Sequence, residues 1–450
     1  MHLASFSLRG LGKALCLGAV LLPSLSAAVD LQPSQVYQGM QPSMVNPINP
    51  QLQQLTPEAC AGCHREIYDQ WKGSMHANSS ALKDPIHAAM YKSVIGDPTE
   101  EGVRTKKGKY PICLKCHAPM AALDGKTKLD ALPRYNAGVT CVTCHSFKAL
   151  KGVHTGDGKL RLGVDAYEFA NQLQGPSGRD LGPMAAMPVP TMPQPPAIAV
   201  PPDRRDRQAA IDNPPMGQGP QGGFHPYPLE GNAQVMRSSD ACMGCHDQRN
   251  NSHGVPLCMT GAEFKDAGAY NCQQCHMPVN NGFADHSMAG GHVQAMVERA
   301  VVMTMAAETD GDDVVAKVTL KNTLPHNAPT GAPFRNLYVE VTGLNAVGAT
   351  VWRNYQKHPM MEDPKSIMML RLLDDEDKPA PPPKAKKLGP DSRLKPHEER
   401  TLEYRIPKQG VAAVRAQLHY DLLLPPQKKM QGIPDELKQS KVVAFAEERI

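Results

Sequence analysis

The chain has 450 residues, and its 48 lysines and arginines against 44 aspartates and glutamates give a formal charge of +4, too small an excess to indicate a nucleic-acid-binding protein. Hydrophobic residues make up 41% of the chain and aromatic residues only 5%, which is low for burying a core in a protein of this length. Composition therefore argues against nucleic acid as a partner and leaves the source of the core open.

The N-terminus predicts export. Arg9 and Lys13 precede the apolar residues 14–22, and the small residues 26–28 suit a signal peptidase, so residues 1–28 are predicted to be a signal peptide. Cys16 lies in the apolar run and should be removed with it. No later apolar run approaches the roughly 18 residues that a membrane span requires. We therefore expect a protein of the periplasm, the outer surface or the extracellular space, without an integral membrane span.

Five copies of the pattern Cys-x-x-Cys-His dominate the rest of the chain. At this cysteine and histidine content, chance would produce on the order of 0.01 copies. The two thiols of each motif add to the two vinyl groups of one porphyrin, and the adjoining histidine then binds the iron from one side. Ten of the twelve cysteines are used in this way, so we predict five covalently bound c-type haems. The attachment cysteines are Cys60, Cys63, Cys113, Cys116, Cys141, Cys144, Cys242, Cys245, Cys272 and Cys275, and the proximal iron ligands are His64, His117, His145, His246 and His276.

Zinc sites and disulfides are the competing explanations of Cys-x-x-Cys pairs. A tetrahedral zinc ion takes four ligands from two such pairs and does not require an adjoining histidine, whereas every copy here ends in histidine. Haem also accounts for the composition, because porphyrin faces supply apolar area that side chains need not. Ionised propionates and the loss of the signal peptide bring the expected net charge of the mature protein near neutral or mildly acidic.

The chain divides by composition. Residues 29–55 are rich in Gln, Pro and Asn without periodicity and are predicted to be an extended arm. Residues 56–296 are predicted to form a pentahaem domain that is mostly α-helical and irregular, with Thr56 and Pro57 opening a short helix at the first motif. A Pro-, Gly- and Met-rich insert at about 175–228 is expected to wrap the haem domain or to connect its two parts. The second and third motifs begin 28 residues apart and the fourth and fifth 30, which suggests two haem pairs after a leading single haem.

Residues 297–450 change to a period of two, which is typical of strands with one buried face. The pattern predicts an all-β sandwich of immunoglobulin-like character without a haem motif. Residues 379–387 are expected to be an exposed loop. The predicted strands are 314–320, 337–341, 349–353, 401–405, 414–420 and 441–446.

Distal iron ligands must come from the remaining histidines. Apart from His2 and the five motif histidines there are eleven, more than twice the five that would close every iron. The favoured distal ligands, by their position next to motifs or in loops, are His76, His225, His286, His292 and His326. Ranked below them are His87, His154 and His253, while His358, His397 and His419 are expected to be ordinary residues of the sandwich.

Other sulfur-bearing residues leave alternatives open. Met184, Met187 and Met192 have a spacing that suits copper(I), although linker filler or packing on a haem face is the favoured interpretation. Methionine as an axial haem ligand remains an alternative. Cys258, which has no motif partner, is expected to be a small buried residue.

Several segments carry a family resemblance. The chain resembles the multihaem cytochromes c of the group that includes the tetrahaem electron acceptor of hydroxylamine oxidoreductase, over most of residues 56–340. The fifth haem motif and the insert depart from that group. The matching segments are ACAGCH at 59–64, QWKGSMHA at 70–77, GVTCVTCH at 138–145, NCQQCHMP at 271–278, DHSMAGGH at 285–292, and HNAPTG at 326–331 leading to Arg335.

Three functions fit this pattern. The favoured one is an electron carrier whose closely packed haems are mainly bis-histidine, with no iron open to substrate and no catalytic residue. The second is a redox enzyme acting on a nitrogen or sulfur oxyanion at one open haem. The third is a polymerising wire subunit, in which the arm contacts a neighbouring copy. In each case other redox proteins or cytochromes are the expected donor and acceptor.

Overall fold

The computed structural model describes residues 52, 54–177, 225–280 and 282–450. The predicted signal peptide, nearly all of the predicted arm and residues 178–224 of the insert lie outside the described residues, as do Met184, Met187 and Met192. No helix in the described ranges is long and apolar enough to cross a membrane.

Short helices form most of the regular structure before residue 300, and each Cys-x-x-Cys-His motif lies on or beside one of them. A helical turn suits the motif because residues three apart share a face, which brings both cysteines to the same side. Reciprocal side-chain caps begin two of these turns, one between Thr140 and Thr143 and one between Asn271 and Gln274. The helices are α1 Pro57–Ala61, α2 Arg65–Lys72, α3 Pro85–Val94, α4 Leu114–His117, α5 Pro119–Leu123, α6 Pro133–Asn136, α7 Cys141–Cys144, α8 Ala233–Met236, α9 Asp240–His246, α10 Thr260–Glu263, α11 Cys272–His276 and α12 Gln294–Glu298, with a 3-10 turn at Gly163–Ala166.

Small two-stranded sheets connect these helices. Three are antiparallel, whereas the pair β3–β4 is parallel and aligns Leu173 with Leu229. A hydrogen bond of 3.0 Å from Gln174 Nε2 to Glu230 Oε2 reinforces this pair. The two strands therefore hold together the chain on either side of residues 178–224. The strands are β1 Phe147–Leu150 with β2 Tyr167–Phe169, β3 Leu173–Gly175 with β4 Leu229–Gly231, β5 Arg249–Asn250 with β6 Pro256–Cys258, and β7 Val279–Asn280 with β8 Phe283–Ala284.

One tyrosine joins the third motif to the fourth. The ring of Tyr167 stacks on Phe147, two residues after the third motif, with a centroid separation of 3.6 Å. Its hydroxyl donates to the Asp240 and Ala241 carbonyls of α9, and accepts from the backbone N–H of Gly244, all at 3.0 Å. A Cβ on Gly244 would lie 2.2 Å from the Tyr167 ring, so only glycine permits this approach. Tyr167 thereby fixes the helix of the fourth motif against the region of the third.

Two larger antiparallel sheets and the two-stranded antiparallel pair β14–β15 form the C-terminal part. One of the larger sheets has the order β16-β10-β9, and the other the order β12-β11-β17-β18 with β13 also paired to β11. Alternate residues of β10, β11, β16 and β17 enter one shared apolar core, as the period of two requires. The strands are β9 Val301–Asp310, β10 Asp313–Asn322, β11 Asn336–Leu344, β12 Thr350–Arg353, β13 Ile367–Met368, β14 Leu370–Leu373, β15 Lys387–Asp391, β16 Glu399–Pro407, β17 Ala413–Asp421 and β18 Lys441–Arg449, with helices α13 Pro359–Glu362 and α14 Pro425–Lys428 and 3-10 turns Pro364–Ser366, Pro382–Lys384 and Asp435–Leu437.

All six predicted strands lie within or overlap observed ones, and β9 is an additional strand that the sequence analysis did not single out. The predicted loop 379–387 contains a 3-10 turn, and Ala385 within it is fully buried. That part of the loop prediction is wrong, because Ala385 packs in a small apolar cluster with Val255 and Leu257. The helical region followed by a β-rich region agrees with the prediction, whereas the immunoglobulin-like classification stays a prediction.

Candidate haem-binding site

The structure places four of the motif histidines opposite a second histidine. With metal–imidazole bonds of about 2 Å, two imidazoles on opposite sides of one iron have ring centroids about 6 to 6.5 Å apart. Four pairs meet that separation. They are His64 with His225 at 6.4 Å, His145 with His286 at 6.4 Å, His276 with His326 at 6.5 Å, and His76 with His246 at 6.0 Å.

Backbone hydrogen bonds orient these rings. A histidine ligand is normally fixed by an Nδ1–H bond to a carbonyl, which leaves the Nε2 lone pair for the metal. Five of the eight paired rings place Nδ1 within 2.9 Å of a backbone carbonyl oxygen. The pairs of atoms are His145 with Gln174 O (2.8 Å), His276 with Ala289 O (2.6 Å), His225 with Tyr227 O (2.6 Å), His286 with Ala284 O (2.7 Å) and His326 with Asn327 O (2.9 Å).

Burial favours the neutral form of five of the paired imidazoles. It lowers the pKa of both His76 and His246 to about 4, and each is lowered further by a neighbouring cationic or imidazole side chain. Burial likewise lowers the pKa of His145, His286 and His326. A neutral imidazole is the form that binds iron, so the protonation state suits ligation as well as the geometry does.

The second motif is different. The rings of His117 and His87 lie only 4.3 Å apart, and the Nδ1 atoms of both face the carbonyl oxygen of Ser79, at 3.2 Å and 2.8 Å. Two imidazoles on opposite sides of an iron cannot approach so closely. His87 Nε2, Tyr91 Oη and Arg249 Nε are buried here without a hydrogen-bond partner in the described part of the chain. His117 is thus the one motif histidine that the described residues do not oppose with a second imidazole at iron-spanning distance.

The other histidines have varied surroundings. His292, a favoured ligand, has Arg335 and Lys441 as charged neighbours, and its ligation stays a prediction. His154 lies 3.8 Å from the Asp247 carboxylate, with most of its side chain exposed. His419 stacks on Tyr338 in the β-rich region.

Two further histidines have local backbone roles or conformations. His358 accepts from the Met360 N–H at the start of α13, and His397 has a positive φ of 58°. Cys258 is half-buried beside Thr260 rather than fully buried.

The loop that carries His326 is tied down at several points. The backbones of Ala328 and Leu394 bond in both directions, at 2.8 and 3.0 Å. Thr330 Oγ1 donates to Glu263 Oε2 at 2.5 Å, and Arg393 Nη1 donates to Glu263 Oε1 at 2.6 Å. The side chains of Glu263 and Arg393 are only 7% and 6% exposed, so this ion pair is buried. A carboxylate of α10 and a guanidinium of the β-rich region together hold the loop that carries His326.

Cysteines of different motifs lie next to each other. Side chains of Cys60 and Cys141, of Cys116 and Cys245, and of Cys242 and Cys272 are close neighbours. No disulfide joins the described cysteines. No three side chains of the types that bind zinc come together as one ligand set within the described residues. The attachment edges of neighbouring haems would therefore be adjacent in the order first–third, second–fourth and fourth–fifth.

Comparisons with known proteins identify the family of the chain. Residues 59–146 match the family model described as cytochrome c554 and c-prime. The crystal structure of a penta-heme cytochrome c552 from Thermochromatium tepidum is similar, with a TM-score of 0.76 and 46% identity over 89% of this chain and all of that one. The chain belongs to the multihaem cytochromes c. This cytochrome binds c-type haem covalently, and electron transfer is its function. No match was found among curated proteins.

Proposed function

We propose that this cytochrome is exported, carries five c-type haems, and passes electrons between redox partners through closely packed and mainly bis-histidine irons. The observation that carries the proposal is the set of four histidine pairs at the separation that one iron requires. The penta-heme title of the similar structure supports the count of five. The narrower resemblance to the electron acceptor of hydroxylamine oxidoreductase remains a proposal that further experiments must test.

From the contacts between cysteines of different motifs we infer a route for the electrons. The first haem adjoins the third through Cys60 and Cys141, while the fourth adjoins both the second and the fifth. Tyr167 bridges the third and fourth motifs through its ring stack and its bonds to α9. The fourth haem would then be a branch point, with the second and fifth haems at the ends of two branches.

Two measurements test this proposal. Intact mass of the exported protein should show five haems and the loss of about 28 N-terminal residues. Electron paramagnetic resonance (EPR) of the oxidised protein should show four low-spin irons with two imidazole ligands. Fewer than five haems at full occupancy, or fewer than four such signals, would contradict it.

The second motif favours a second candidate function, a redox enzyme acting on a nitrogen or sulfur oxyanion at an open haem. Here no second imidazole in the described residues lies opposite His117 at the separation that one iron requires. Arg249 lies within electrostatic range of His117. We expected a distal ligand at all five irons, but the described residues place no second imidazole at the required distance from His117.

Carbon monoxide and turnover measurements separate the two functions. Rapid binding of one equivalent of carbon monoxide to the reduced protein, together with steady turnover of nitrite or hydroxylamine, would establish the enzyme. Slow, substoichiometric binding without turnover is the expected result for the carrier. The wire hypothesis involves the arm, nearly all of which lies outside the described residues.

A further inference from the structure

Arg335 lies where two glycine-containing loops meet. A Cβ on Gly291 would lie 3.1 Å from Arg335 Nη1 and 2.5 Å from the hydroxyl of Tyr420. A Cβ on Gly331 would lie 3.2 Å from the same Nη1. Both glycines thus leave space beside the guanidinium that any other residue would fill.

These two loops flank the histidine pair of the fifth motif, His276 and His326. Gly291 is two residues beyond Ala289, whose carbonyl oxygen accepts from His276 Nδ1. Gly331 is five residues beyond His326, the ring that faces His276 at 6.5 Å. The loops that carry the backbone acceptor of His276 and the ring of His326 therefore both contact Arg335. Arg335 is also within electrostatic range of His246 in the fourth motif, so the test must separate the fourth haem from the fifth.

The guanidinium has no carboxylate partner in the described part of the chain. Asp84 is within electrostatic range, but it forms no ion pair with Arg335 and instead caps α3, accepting from the Ile86 N–H at 2.9 Å. Lys441 adds a second cation on the same side, with its Nζ donating to the His292 carbonyl at 3.2 Å. An arginine in such surroundings normally binds a carboxylate with two parallel hydrogen bonds.

We propose that Arg335, assisted by the Tyr420 hydroxyl, binds a propionate carboxylate of the fifth haem. The inference rests on the proposed function, in which His276 and His326 ligate that haem. Arg335 and Tyr420 both belong to the β-rich region, which would then supply the charge beside the fifth haem as well as its distal ligand. A positive charge at this place stabilises the ferrous state and raises the reduction potential.

The test compares Arg335→Gln with Arg335→Lys in the fully loaded protein by potentiometric titration followed by EPR. The fifth haem is identified as the one whose low-spin signal disappears in His326→Ala. In Arg335→Gln its oxidation equilibrium should shift about tenfold towards the ferric state, a fall of about 59 mV for one electron. Arg335→Lys should recover more than half of this shift, because it keeps the charge but loses the two-pronged geometry. Tyr420→Phe should lower the same potential by less than Arg335→Gln does. If Arg335→Gln fails to fold, the potential measured in Tyr420→Phe tests the inference.

Arg415→Gln is the matched control. Its guanidinium pairs with Glu447 at 2.7 Å on the surface of the β-rich region, so no haem potential should change. An unchanged fifth potential in both Arg335→Gln and Tyr420→Phe, or a shift confined to another haem, overturns the inference. Fewer than five haems in the wild-type mass instead overturns the proposed function, so the two failures are distinguishable.

Discussion

Neutralising Glu263 should loosen the loop that carries His326. Glu263→Gln keeps the size of the side chain but removes the charge that faces the buried Arg393. Breaking a buried pair costs about 3–5 kcal/mol when one charge is left alone. Arg393 keeps Asp391 as a partner at 2.7 and 2.8 Å, so we expect roughly half of that cost, about 2 kcal/mol. Opening of the loop should then become about 30-fold more favourable.

Carbon monoxide measures this opening directly. In the reduced protein it can bind the fifth haem only after His326 leaves, so the slow phase in stopped-flow mixing should accelerate by about 30-fold in Glu263→Gln. The phase is assigned by its conversion into a fast phase in His326→Ala.

The control for this experiment is Asp310→Asn. It removes a surface ion pair to Arg405 whose two side chains are 59% and 57% exposed, and it should leave the rate unchanged. A slow phase that Glu263→Gln accelerates less than twofold would show that the buried pair does not hold the loop.

Three further outcomes are expected. His326→Ala should produce one high-spin ferric iron in the EPR spectrum while intact mass still shows five haems, and an unchanged low-spin spectrum would remove His326 from the ligands. Tyr167→Phe should destabilise the fold by about 1–3 kcal/mol, because the buried N–H of Gly244 loses its acceptor, and should therefore lower the thermal melting temperature. An unchanged melting temperature would contradict this role. The pKa of Glu340 is lowered, first by His419, whose Nε2 lies 3.5 Å from Glu340 Oε2. Ionised Glu340 therefore stabilises the fold above its ordinary pKa of 4.5, and this contribution is lost as the pH falls through its lowered pKa. Glu340→Gln should therefore lose less melting temperature than the wild type between pH about 5 and about 3, and equal losses would refute the linkage.

The haem motifs were predictable because their chemistry is local. Two cysteines and a histidine within five residues define an attachment site without any tertiary information, and the short helices that hold them follow from the same spacing. The strands of residues 314–320 and 414–420 were predictable for a similar reason, since one buried face imposes alternation. β9 was missed because two of its exposed positions, Val302 and Ala306, carry apolar side chains and hide the alternation in the sequence.

Distal pairing was not predictable in the same way. His225 faces His64 across 161 positions of sequence, and His286 faces His145 from beyond two further motifs, so nothing in the spacing reports either contact. As a distal-ligand candidate, His87 ranked below His292. In the structure His87 packs beside the ring of His117, because the Nδ1 atoms of both rings face the carbonyl oxygen of Ser79. Ranking by distance to a motif fails where tertiary packing decides which ring is nearest.

Because β3 and β4 pair with each other, the position of His225 does not depend on how many residues lie between the two strands. Strand β3 ends at Gly175, β4 begins at Leu229, and the ladder between them is completed by residues on either side of 178–224. Once the two ends of a segment are fixed, doubling its length costs only about 0.6 kcal/mol in closure entropy. We therefore expect that an electrode tether or a fused redox module inserted between β3 and β4 would leave the position of His225, a proposed iron ligand, unchanged.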